Sequence, residues 1–105
     1  MTGRKISNKP LFSISVAADL AGLHPRTLML YESKGVLTPY RTGTNRRLYS
    51  PKNIIEIKFI QFLTQEKGIN LAGVKTLLKA FNLCRKQNFN LKKELFPDYK
   101  EESPL

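Results

Sequence analysis

Two glycines and a proline between positions 22 and 35 constrain this chain more than any other feature it carries. Gly22 suits the left-handed position that stops a helix, and Gly35 repeats the signal one short helix later. Pro25 suits the first position of a helix, because its missing amide hydrogen would find no intrahelical partner there. Between Gly22 and Pro25 only Leu23 and His24 remain, so two helices must follow each other across a tight link. The first is expected to start at Ser15 as N-cap, with Val16, Ala17, Leu20 and Ala21 as its apolar stripe. The second runs from Pro25 to Lys34, with Leu28 and Tyr31 spaced to share one buried face. Such a pair is a helix-turn-helix candidate.

The residues that follow predict a hairpin and two further helices. Val36–Pro39 is apolar and extended, Thr42-Gly43-Thr44-Asn45 is turn-forming, and Arg46–Tyr49 returns with strand formers. Ser50-Pro51 opens a third helix as N-cap and first helical residue. Ile54, Ile55, Ile57, Phe59, Ile60, Phe62 and Leu63 make it apolar on nearly every side, so it is expected at the centre of the core, with Gly68 as its end. Asn70 caps a fourth helix whose Leu71, Val74, Leu77, Leu78 and Phe81 recur at spacings of three and four. Beyond Phe81, Leu83, Leu91, Leu95 and Phe96 suggest one frayed helix, weakened by Asn82, Asn88 and Asn90 and closed by Pro97. Leu11–Ile14 is a candidate short strand ahead of the first helix. At 105 residues the chain suits one domain with one modest core.

Charge then narrows the function. Eighteen Lys and Arg against eight Asp and Glu leave +10, which on a small body points to a polyanionic partner, nucleic acid foremost. From His24 to Lys52 there are six bases (Arg26, Lys34, Arg41, Arg46, Arg47, Lys52) and one acid, Glu32. A helix pair followed directly by a basic hairpin is the winged arrangement, with its second helix in the major groove and the hairpin's cations on flanking phosphates. Solvation of a loop would explain the same cations taken alone; their position beside the helix pair favours duplex DNA.

Other classes fit less well. Arg4, Lys5 and Lys9 ahead of Leu11–Ala18 have the order of a secretory leader, but two serines interrupt that run and Asp19 ends it, so residues 1–10 are read as a basic arm. No stretch approaches membrane-spanning length, and a membrane partner is not expected. One cysteine, Cys84, allows no intrachain disulfide or cysteine-only metal cage and fits a reducing, cytoplasmic setting. Catalysis would need a nucleophile with its base, paired carboxylates or a metal cluster. One histidine, one cysteine and eight scattered acids supply none of these, so neither an enzyme nor a cofactor is expected.

The stretch ISVAADLAGLHPRTLMLYESKGVLTPYRTGTNRRLYSPKNI, continued by FLTQEKGINLAGVKTLLKA, resembles the DNA-binding domain of MerR-type transcriptional regulators, most of all their heat-shock repressor branch. The resemblance spans about Leu11 to Ala80. Its most specific parts are the run from His24 to Gly35, the NRRLYS wing and the GINLAGVK segment. It implies that Thr27, Leu28, Tyr31 and Glu32 belong to the recognition helix, that Arg41 and Arg47 are wing arginines, and that Tyr49 closes the wing. It also implies repression of chaperone genes, with a chaperone as candidate co-repressor. Met29 departs from the pattern, standing where the family usually has an arginine facing DNA, and Leu30 replaces what is often a tyrosine or polar group. Base recognition then shifts toward Arg26, Thr27 and the wing, or DNA binding is weaker than the family norm.

The expected molecule is mainly α, a winged helix-turn-helix of four helices plus a small β-hairpin wing, with a short C-terminal helix. Residues 1–10 form the arm, 11–80 the DNA-binding domain, and 81–105 a short helix and acidic tail available for dimer contact. The expected DNA-contacting set is Arg26, Thr27, Tyr31, Lys34, Arg41, Asn45, Arg46, Arg47 and Tyr49. Tyr31 is given a mixed role, ring buried and hydroxyl free for a phosphate, while Glu32 is expected to pair with a nearby cation. His24 is read as a residue leading into the helix and Cys84 as an inert thiol, with no metal site. The partners are double-stranded DNA and a second copy of the chain, the dimer lying on a pseudo-palindrome. A small MerR-like chaperone modulator, binding a co-chaperone instead of DNA, is the alternative; a phage-type architectural excision factor is a third reading.

Overall fold

The computed structural model describes residues 6–105; Arg4 and Lys5 of the basic arm lie outside them. Helix α1 spans Ile14–Ala21 and α2 spans Pro25–Ser33. Strands β1 (Tyr40–Arg41) and β2 (Arg47–Leu48) follow, then α3 (Pro51–Gln61), α4 (Leu71–Lys86) and α5 (Leu91–Leu95). The strands pair antiparallel with Tyr40 opposite Leu48 and Arg41 opposite Arg47. The architecture is the expected winged helix-turn-helix, mainly α with one small hairpin.

Backbone chemistry sets the spacing of the first two helices. At the end of α1, the Leu23 amide donates to the Ala18 carbonyl and Gly22 to Asp19. At the end of α2, Val36 donates to Tyr31 and Gly35 to Glu32 in the same pattern. Both glycines sit in the left-handed region, at φ +68° and +75°, so both helices close with paired carbonyls and a sharp change of direction. The start of α1 differs from the expected one. Ser13, not Ser15, is extended and accepts from the Val16 amide, so the helix begins at Ile14. That leaves no length for a strand at Leu11–Ile14; it reduces to a single bridge, Phe12 to Tyr49. The buried stripe moves accordingly to Ala17, Ala18 and Ala21, with Val16 exposed.

Ser50 opens α3 with a reciprocal cap: its hydroxyl accepts from the Asn53 amide while Asn53 Oδ1 accepts from the Ser50 amide. Ile54, Ile57 and Ile60 of α3 are fully buried, as the all-round apolar pattern predicts, together with Leu28 of α2, Tyr49, Leu63 and Val74 of α4. Each such side chain contributes roughly 1.5–3 kcal/mol of burial, enough to orient α1, α2 and the root of the wing against one central helix. Past Gln61 the helix widens into a π turn, Phe62–Glu66, before Gly68 redirects the chain at φ +65°.

The C-terminal region departs furthest from expectation. The fourth helix continues to Lys86, and Asn88 at φ +60° then breaks the chain before the five-residue α5. The break expected after Phe81 therefore falls later, at the asparagine that tolerates a left-handed backbone, and the short C-terminal helix shrinks to Leu91–Leu95. The chain then folds back. Phe96 meets Phe62 edge-on at 5.7 Å between centroids, and Tyr99 lies 4.6 Å from Phe62 and 5.1 Å from Phe59. Lys92 Nζ stands 4.1 Å over the Phe59 ring. Lys58 Nζ donates to the Ser103 carbonyl, so the last residues lie along α3.

Candidate nucleic-acid interface

The inward face of α2 decides what its outward face can offer. Leu28 and Tyr31 are buried, which turns Arg26, Met29, Leu30 and Ser33 outward on one exposed face at spacings of three and four. Thr27 lies at its margin, half-buried. Lys34 is exposed at the helix's end, and Lys75 of α4 joins it there: its Nζ lies 3.0 Å from the position a β-carbon on Gly35 would take. A cation at that end also complements the helix dipole. Forty residues separate Lys75 from Gly35, and no local sequence signal connects them.

The wing is held to α2 by one carboxylate. Glu32 accepts from Arg47 Nε at 2.6 Å through Oε1 and from Arg41 Nη2 at 3.0 Å through Oε2. Arg41 and Arg47 face each other across the hairpin, so Glu32 grips both strands at once. Arg41 Nη1 also donates to the Asn45 carbonyl at 3.0 Å, tying the turn to the same network. Partial burial would raise the Glu32 carboxyl, but the hydrogen bonds from Arg47 and Arg41, then their charges, outweigh it and hold the group below its ordinary value. The expected pairing of Glu32 is thus met by two arginines rather than one.

The other site residues divide by position. Arg46 is exposed, and its guanidinium has no ion pair among the described residues. Asn45, at φ +66°, is exposed and donates its amide to the Thr42 carbonyl, so its clearest structural task is closing the turn. Both tyrosines belong to the core. Tyr31 is only 3% exposed, so its ring is buried as expected; burial raises its pKa, partly offset by the Thr64 side chain of the π turn. Tyr49 is wholly buried, its hydroxyl without a hydrogen-bond partner, and burial again raises the phenol. It cannot hold DNA backbone from there; it carries the end of the wing into the core.

His24 immediately precedes α2 in an extended conformation and makes no side-chain cap, and Cys84 is partly buried on α4. Among the described residues no three His, Cys, Asp or Glu side chains gather as a metal site, and no helix is long and apolar enough to cross a membrane.

Known proteins share this arrangement. Residues 12–80 match the sequence profile of the MerR HTH family regulatory proteins. A Streptomyces coelicolor chain carrying the heat shock protein name HspR is 45% identical over 73 residues, 70% of this chain and 48% of that one. The HTH-type transcriptional regulator GlnR of Bacillus anthracis is 38% identical over 69 residues, 66% of this chain and 53% of its own length. The chain thus spans about half the length of these curated relatives. Among solved structures, the transcription regulator PbrR691 from Ralstonia metallidurans, in complex with lead(II), shares the fold with a TM-score of 0.63 at 24% identity, covering 81% of this chain and 70% of that one. With its profile match across the helix pair, wing, α3 and most of α4, this chain belongs to the MerR family of helix-turn-helix regulatory proteins.

Proposed function

We propose that the chain is a sequence-specific duplex-DNA-binding transcriptional regulator, a repressor of the heat-shock type that acts in the cytoplasm as a homodimer on a pseudo-palindromic operator. One observation carries this reading: Glu32 clamps the basic wing to α2, so the exposed face of that helix and the wing's free cation belong to one rigid surface. On this reading Arg26 and Thr27 enter or border the major groove, Lys34 flanks it, and Arg46, with the outer edges of Arg41 and Arg47, holds flanking phosphates. Glu32 presents no free negative charge to the duplex, because two arginines neutralise it. The 45% identity to the HspR-named chain supports the heat-shock assignment, and a chaperone co-repressor is proposed with it. Leu83, Phe89 and Leu95 are exposed near the C-terminus and supply apolar surface for a second copy.

Selection of bound fragments from genomic DNA, followed by affinity measurement over a range of salt, tests the reading. A dimer that neutralises about three to five phosphates per subunit loses affinity with a log-log slope of roughly −5 to −9. Enrichment of one palindrome with that slope is the expected result. Retention of every fragment alike would indicate an architectural protein, and no retention would leave the co-chaperone binder.

A further inference from the structure

The face of α2 that the proposed function sends into the major groove is unlike a polar reading surface. Met29 and Leu30 are 44% and 46% exposed at its middle, and no Lys or Arg stands between Arg26 and Lys34. Two large apolar side chains on an exposed helix face are unfavourable in water and are stabilised against apolar groups. The rest of the helix narrows what they can face. It carries no Asn or Gln to take the adenine edge, and its one carboxylate, which could accept from cytosine, is already occupied by Arg41 and Arg47. Arg26, one turn ahead of Leu30 on the same face, is the sole long donor on α2, with Lys34 and Lys75 at the other end. An apolar centre between cationic ends matches a major groove that offers a methyl group between two phosphate walls. The one apolar group B-DNA presents there is the thymine 5-methyl.

We infer that Met29 and Leu30 read thymine methyl groups, so that this protein selects operator half-sites by A·T pairs at the centre of the α2 footprint, with Arg26 fixing the register on a guanine or phosphate beside them. This rests on the DNA-binding reading above. It makes the two apolar residues the specificity determinants of the helix.

The experiment replaces thymines by deoxyuridines, singly and together, in the half-site recovered by fragment selection, which removes the 5-methyl and leaves base pairing intact. Wild-type protein should lose affinity by roughly threefold to fivefold for each contacted methyl, and lose nothing at thymines outside the α2 footprint. The Met29→Ala, Leu30→Ala double variant, checked for native circular dichroism, should bind the thymine duplex more weakly and be indifferent to deoxyuridine. Equal binding of thymine and deoxyuridine duplexes by the wild type overturns the inference while leaving DNA binding intact, as does a variant that keeps full deoxyuridine sensitivity. If the wild type binds no duplex at all, the inference falls with the reading beneath it, and the apolar pair is left as a seat for a protein.

Discussion

Glu32 is the residue on which the surface depends, and its acid limb makes that testable. Its folded carboxyl lies below its ordinary value, so its contribution to stability is present above that ordinary value and is lost as pH falls through the folded one. In Glu32→Gln the two arginines lose their shared counter-charge, and at pH 7 the variant should be less stable by about 1 kcal/mol, a modest figure because all three side chains retain some solvent. Denaturant unfolding at pH 7 and at pH 3 should show this gap closing at the lower pH; a gap that persists unchanged would mean the charge pairing contributes nothing. Tyr49 gives the opposite kind of test. Its hydroxyl is buried and unpaired, so Tyr49→Phe removes an unsatisfied polar group and should leave stability unchanged or raise it by up to about 1 kcal/mol. DNA affinity should stay as it was, whereas a phosphate contact through that hydroxyl would show as weaker binding. The sequence pairs Glu32 with a cation and counts Tyr49 among the DNA-contacting residues, but a motif cannot say which way a phenol points. Tyr49 is drawn inward because its backbone pairs with Phe12 and places the ring over the core.

At the scale of the element, helix ends were the most legible part of the chain. Gly22, Gly35, Gly68, Ser50, Pro51 and Asn70 each carry a local chemical preference that no distant contact had to supply, and the structure uses all of them at or near the expected positions. Ser13 was missed because two serines, two residues apart, offer the same hydroxyl, and only the pairing of Phe12 with Tyr49 decides between them. The π turn had no signal either: no residue of Phe62–Glu66 carries a local preference that marks a wider turn. The cap of α3 permits a quantitative check. Ser50→Ala removes the acceptor for the Asn53 amide and leaves Asn53 to cap alone, a loss of about 1 kcal/mol in thermal or denaturant unfolding. Ser50→Asp retains a side-chain acceptor and should recover most of it; if both variants unfold alike, the cap is not what starts α3.

At the scale of the whole molecule, the last twenty residues matter through contacts that periodicity does not encode. Read along the chain, Leu91, Leu95 and Phe96 look like the weak end of a pairing helix. In space, Phe96 and Tyr99 close over Phe59 and Phe62, and Lys92 covers the Phe59 ring, so the tail completes the core at the back of α3. Phe59 and Phe62 stand at helical spacing, but no local pattern links them to positions 96 and 99; the rings meet because Asn88 turns the chain and Pro97 ends α5. Tyr99→Ala removes two ring pairs, each worth about 0.5–1.5 kcal/mol beyond the area it buries, and should destabilise by roughly 2 kcal/mol. Phe96→Ala should cost a similar amount, and the double variant less than the sum, since both rings lean on the same two partners. None of these contacts reaches α2 or the wing. At temperatures where the variants remain folded, their affinity for the selected operator half-site should therefore match the wild type. A parallel loss of half-site binding and stability would place the tail in the DNA-binding surface itself and would require the wing, α2 and the back of α3 to move as one unit.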